Sequence, residues 1–258
     1  MKKALKVLKY IILIAIIIFA LVVVYKYVNY YRIYIIQKNN MAKNNIKVEV
    51  NYFPYDNIYT ENKRSISVKD NSFVIESETN YTEEYKKENT NIQDSLTKMY
   101  FLGGNTYTEN IIIDELNKTF NFFEGIGYTT GMIPAFYPSI EEAVLFQEFP
   151  NIAQELWSLV IRFPEILQMN FYSTKDGETE AYVVEGKRYI STYPLEDDDA
   201  EYTKRRVYYN KGNMLPYKVT KAKKDGTEKT MEEYNVSLDT VTDKDIALPN
   251  LDNYVQIK

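Results

Sequence analysis

IILIAIIIFALVVVY, residues 11–25, is an unbroken apolar run with no charge, Pro or Gly. With Leu5, Val7 and Leu8 before it and Tyr27 and Val28 after it, it makes a helix that spans a hydrocarbon core of ~30 Å at ~1.5 Å per residue. Lys2, Lys3, Lys6 and Lys9 precede it with no acid among them. A basic start and an apolar core also describe a cleaved secretory signal, but cleavage needs small residues just past the core. Here the core runs into Val22, Val23, Val24, Tyr25, Lys26 and Tyr27, and no Cys offers a lipidation site. The expectation is a retained signal anchor over residues 10–28.

The Lys bias sets its orientation. Four Lys precede the run, whereas Lys26, Arg32 and Lys38 are spread thinly after it. The positive-inside rule then puts residues 1–9 in the cytoplasm and the chain beyond the anchor outside it. Tyr25, Tyr27, Tyr30, Tyr31 and Tyr34 read as an aromatic belt at the outer interface. Residues 29–45, ending in the polar QKNNMAKNN, read as a linker to an extracytoplasmic domain over 46–258.

Composition limits what that domain does. Eight of the 31 Lys/Arg fall in residues 1–45, where there is no acid; the remaining 23 face 36 Asp/Glu, a net of −13. An acidic domain is a poor partner for nucleic acid or anionic lipid surfaces. With no Cys there are no disulfides or thiolate chemistry, and with no His the usual general base and zinc ligand are gone. No cofactor, metal site or catalytic residue is expected. Carboxylate-only hydrolysis is the enzymatic design that survives, as a third choice.

The domain reads as strands, then helices, then strands. Ile46, Val48, Val50 and Tyr52 alternate with Lys47, Glu49 and Asn51, a strand with one buried face. Short strand-like pieces follow over 65–69, 72–77, 97–102, 105–113 and 118–123, with 81–91 an exposed strand or loop. At Pro138 the texture changes. Ser139 and Glu142 form a capping box, and Ile152, Leu156, Leu159, Val160 and Phe163 repeat at helical spacing beside Trp157. This helical insert, 139–169, either packs on the sheet or forms a lid, with Leu156, Trp157, Val160 and Phe163 the candidates for apolar ligand contact. Strands resume at Phe171–Thr174 and Thr179–Glu185 across a Lys-Asp-Gly turn. Glu196–Asp199 is an acidic loop. Two further strands flank Asn210-Lys211-Gly212, and another returns through Asp225-Gly226. About eleven strands in two meanders predict one large antiparallel sheet, curled into an incomplete barrel.

The segment VYYNKGNMLPYKVTKAKKDGTEKTMEEYNVSLDTVTDKDIALPNLDNY, Val207 to Tyr254, resembles the closing part of the outer-membrane lipoprotein carrier (LolA-like) family. The resemblance rests on the order of Leu215-Pro216, Asp225-Gly226, Asp243 to Ile246 and Pro249, with Thr179 to Arg188 similar to an earlier hairpin strand. It implies an incomplete β-barrel with a helical lid over an apolar cavity. It also implies a binder of acyl chains or lipidated proteins rather than an enzyme. The chain departs from the family in being tethered, and no residue here takes over a family site role by motif. The functional expectation is therefore a single-pass, membrane-anchored binding protein for an acyl chain, lipid or lipidated protein. The alternative is a cell-envelope scaffold without a ligand cavity.

Overall fold

The alternation at Ile46–Tyr52 makes a strand that ties the molecule together. In the computed structural model β1 (Asn45–Tyr52) lies between two meanders and pairs with both, antiparallel on each side. The structure describes residues 2–43, 45–53, 59–70, 72–101, 108–125, 157, 160, 163–187 and 201–257. On one side run β2 (Tyr59–Lys69), β3 (Ser72–Tyr81), β4 (Ser95–Phe101), β5 (Thr108–Asp114) and β6 (Thr119–Gly125). On the other side the chain returns as β7 (Asn170–Asp176), β8 (Thr179–Lys187), β9 (Tyr202–Asn210), β10 (Pro216–Lys223) and β11 (Glu228–Leu238). A two-residue β12 (Val255–Gln256) adds in parallel to β6.

The result is a mainly β molecule built on a curved, open sheet of 12 strands, in the order β12-β6-β5-β4-β3-β2-β1-β11-β10-β9-β8-β7. Consecutive strands are neighbours within each meander, as hairpin connections dictate. Gly177 at φ +59° and Gly226 at φ +95° occupy the β7–β8 and β10–β11 turns, in the left-handed region that glycine enters without a Cβ penalty. A register shift at Val219/Thr220 marks a bulge where β10 meets β11.

The two faces differ. The inner face, defined as the one that carries the N-terminal helix, is apolar across nine strands. Phe101, Phe73, Val68, Ile46 and Leu238 stand in register from β4 to β11, and Val219, Val207, Val184 and Phe171 continue the track from β10 to β7. The Phe73 and Phe101 rings stack at 4.2 Å. On the opposite, outer face Val74, Tyr100, Ile111 and Ile113 are covered by Ile246, Leu251 and Tyr254 of the C-terminal segment. That segment contains the single-turn helix α4 (Asp243–Ile246) and is held by the Tyr254 hydroxyl, which donates to Glu115 at 2.6 Å.

Three sequence expectations change. Residues 29–45 do not form a linker along their length, because α1 (Lys2–Met41) is one 40-residue helix that continues through them. Tyr30 and Tyr34 leave the expected aromatic belt, since they are 4 % exposed and packed into the core with Ile33. Their i, i+3, i+4 spacing gives α1 an apolar stripe that the sheet covers, and tertiary packing outweighs the polar Asn and Lys around it. Residues 81–91 contain a helix, α2 (Glu83–Glu88), because the Thr82 hydroxyl caps the Tyr85 N–H at 3.3 Å and Glu83 pairs with Lys86 one turn on.

Of the helical insert 139–169, the described part is helical: Trp157, Val160 and α3 (Phe163–Gln168). The capping box at Ser139 and the acidic loop 196–199 lie outside the described residues.

Candidate functional site

The site is built where α1 meets the inner face. Along α1 two regimes follow one another. Every large apolar side chain from Val7 to Leu21 is more than half exposed, and the helix over Lys6–Asn40 has the length and apolarity to cross a membrane, with a mean hydropathy of 3.1 over its most apolar 18 residues. From Val23 onward burial sets in, and Tyr30, Ile33, Tyr34 and Gln37 are enclosed. They pack with Ile166 and Met169 at α3, and with Phe171, Val184, Val207, Tyr209, Met214 and Val219 of the sheet. Burying Ile33 alone is worth about 1.5–3 kcal/mol.

Polar contacts fix α1 at both ends of this stretch. Lys26 Nζ donates to the Leu167 carbonyl at 2.7 Å and to the Met169 carbonyl, satisfying acceptors left open at the end of α3. The Tyr25 hydroxyl donates to the Phe171 carbonyl at 3.0 Å. The Tyr182 hydroxyl of β8 donates to Asn29 Oδ1 at 2.6 Å, and burial pushes that phenol up to about 12. Further along, Gln37 Nε2 donates to the Met214 carbonyl at 2.9 Å, and Lys43 pairs with Asp239 at 2.8 Å where α1 gives way to β1.

The apolar track is continuous past α1. A second cluster, Ile46, Val48, Val50, Ile66, Val68, Phe73, Ile75 and Phe101, fills the inner face of β1–β4. Tyr234 of β11 packs against both clusters and joins them. Its hydroxyl donates to Glu232, which also pairs with Arg205 at 3.4 Å. Burial and the Glu232 carboxylate drive the Tyr234 phenol far above its ordinary range, so it is neutral at any working pH. Tyr52 is raised for the same two reasons, burial first, with Arg64 pulling the other way. One polar group of this set, Arg205 Nε, is buried with no hydrogen-bond partner among the described residues.

The sequence-derived contact candidates fall at the edge of this site. Leu156 lies outside the described residues. Trp157 and Val160 are 64 % and 59 % exposed, and Phe163 is 36 % exposed with its ring stacked on Tyr27 at 6.1 Å. The structure thus brings Phe163 against α1 and leaves Trp157 and Val160 facing outward. The buried lining residues were partly legible: Val184, Val207 and Val219 sit in alternating strands. The contribution of Tyr30, Ile33, Tyr34 and Gln37 was hidden in a segment read as linker, although their helical spacing was there to find.

The outer face carries a different feature. A depression of about 440 Å³ over β11, β1, β2 and β3 is lined by Glu49, Asn51, Lys63, Glu76, Glu78 and Glu233 among others. Two of its four carboxylates are paired, Glu49 with Lys47 at 2.6 Å and Glu76 with Lys98 at 2.8 Å. Among the described residues no group of His, Asp or Glu is placed to hold a metal ion.

No family model matches the sequence, and no curated protein does. Among solved structures, the chain is similar to an uncharacterised conserved protein from Thermus thermophilus, with 9 % identity and a TM-score of 0.38 over 87 % of this chain and 97 % of that one. A LolA superfamily protein from Nitrosomonas europaea matches with 10 % identity and a TM-score of 0.22 over 83 % of this chain and 96 % of that one. An outer membrane lipoprotein-sorting protein domain from Vibrio parahaemolyticus matches with 10 % identity and a TM-score of 0.18, over 78 % and 87 % of the two chains. These neighbours include LolA-type proteins, and at such overlaps the functional reading of this chain rests on its own geometry.

Proposed function

We propose that the protein is a single-pass, membrane-anchored binding protein whose extracytoplasmic β domain takes an apolar ligand: an acyl chain, a lipid or a lipidated protein. The observation that carries this reading is the apolar track of the inner face, joined through Tyr234 and beginning where α1 leaves its exposed apolar segment. Beyond that exposed segment the first aromatic contact between α1 and α3 is Tyr27 stacked on Phe163, a point of entry for an acyl chain leaving a bilayer. Each CH₂ transferred onto such a surface is worth about 0.8 kcal/mol. Binding requires part of the present packing to open, and the short helix α3 is the natural gate, because Ile166, two Lys26 hydrogen bonds and the Phe163–Tyr27 ring contact hold it in place. The reaction is binding, with no bond made or broken.

The test is native mass spectrometry of the full chain released from membranes, together with uptake of a fluorescent fatty acid. Co-purifying lipid and saturable uptake are expected. A domain that is empty and takes up no fatty acid contradicts the proposal.

A second reading, a cell-envelope scaffold, is favoured by the outer-face depression. Its remaining carboxylates, Glu78 and Glu233, suit a basic segment of a partner protein. Cross-linking that recovers one stoichiometric membrane partner, with no lipid bound, would select it.

A further inference from the structure

Two observations, independent of any ligand, fix where one edge of the domain sits. The first is the docking of α3 on α1. Lys26 Nζ bonds the Leu167 and Met169 carbonyls, Tyr25 bonds the Phe171 carbonyl, and Phe163 stacks on Tyr27. All three anchoring residues, Tyr25, Lys26 and Tyr27, lie within one turn of each other, just past the exposed apolar run of α1. The second is the exposure of three large apolar side chains spaced three residues apart: Trp157 and Val160, each in helical conformation, and Phe163 at the start of α3.

We propose that Trp157, Val160 and Phe163 form an interfacial foot that rests in the headgroup and upper acyl region of the same bilayer that α1 crosses. The foot deepens the anchoring reading and rests on it. The occupant of this face is lipid because Phe163 stacks on Tyr27, within two turns of the end of the exposed apolar run of α1. Trp and Phe beside a Lys and two Tyr is the side-chain mixture that the membrane–water boundary selects. The foot gives the domain a second point of contact with the bilayer beside α1. It also holds the start of the apolar track at the level of the acyl chains. The role differs from that of a lid: a lid faces the sheet, and the foot faces lipid.

Trp157 is the one Trp in the chain, so intrinsic fluorescence reports on this position alone. The full chain is reconstituted into phosphatidylcholine–phosphatidylglycerol vesicles and floated through a density gradient. Its emission is then read with lipids brominated on the upper acyl chain and with aqueous iodide. The foot predicts blue-shifted emission, strong quenching by the brominated lipids and little by iodide. Val160→Asp, at an exposed position that leaves the fold intact, is predicted to lose most of the bromolipid quenching. Flotation with a red-shifted Trp157 open to iodide overturns the foot and leaves the anchor standing. Blue-shifted emission untouched by brominated lipid overturns it in favour of a lid. A chain that fails to float overturns the anchor and the foot together.

Discussion

Glu185 is the residue on which the outer face of the C-terminal meander depends. It is 5 % exposed and accepts hydrogen bonds from Lys204 at 2.9 Å, Arg206 Nε at 2.7 Å and Asn170 at 3.0 Å. Burial acts to raise its pKa, but the three donors outweigh burial and hold it below the usual 4.5. A carboxylate held low in the folded state contributes stability above its unfolded pKa and loses it as pH falls through the folded value. Urea midpoints are therefore expected to drop as pH falls below about 4.5. Glu185→Gln should cost about 3 kcal/mol at neutral pH and flatten that acid limb. Tyr182 gives the opposite sign. Its phenol is raised from 10 to about 12, so its contribution is whole below pH 10 and is lost as pH rises through about 12. Tyr182→Phe should cost about 1 kcal/mol and weaken that part of the alkaline loss. Neither residue stood out in the sequence. A Glu or Tyr in an alternating strand shows which face it occupies only when the register of its neighbours is known.

At the scale of elements, α1 has an exposed apolar half and a buried half, which the sequence separates only in part. The run 11–25 announced itself because nothing interrupts it. The second half did not, because Asn29, Asn39, Asn40 and the Lys residues around them carry the composition of a turn. Yet Tyr30, Ile33, Tyr34 and Gln37 lie on one face, and the sheet supplies the burial that makes that face count. Ile33→Ala is expected to lower stability by about 2–5 kcal/mol. The measurement is thermal unfolding of the β signal by circular dichroism in nanodiscs, with flotation unchanged, since the exposed apolar half is untouched. A linker with no role in the core would show no change. The short helix α2 was missed for a similar reason. Its one strong signal is the Thr82 cap, and six residues give no periodicity to read.

The whole molecule is a sheet of 12 strands hinged on β1, with a helix that leaves the inner face and carries an exposed apolar surface of its own. Hairpin punctuation at Asp176-Gly177 and Asp225-Gly226, and clean alternation at Ile46–Tyr52, made the curved, mainly β architecture readable in advance. The central place of β1, between the first and last meanders, was not readable, because pairing between strands so far apart in the chain leaves no local mark. The candidate site was legible only in its strands. Of the four insert residues singled out, Phe163 meets α1, Trp157 and Val160 point outward, and Leu156 lies outside the described residues. The central claim is that one helix serves as both membrane anchor and core element. Hydrogen exchange of the full chain in vesicles tests it most directly. Amides of residues 30–41 should be protected as strongly as those of β8 and β9, since they belong to one cooperative core. Exchange of residues 30–41 at the rate of an open linker, beside protected strands, would contradict the account.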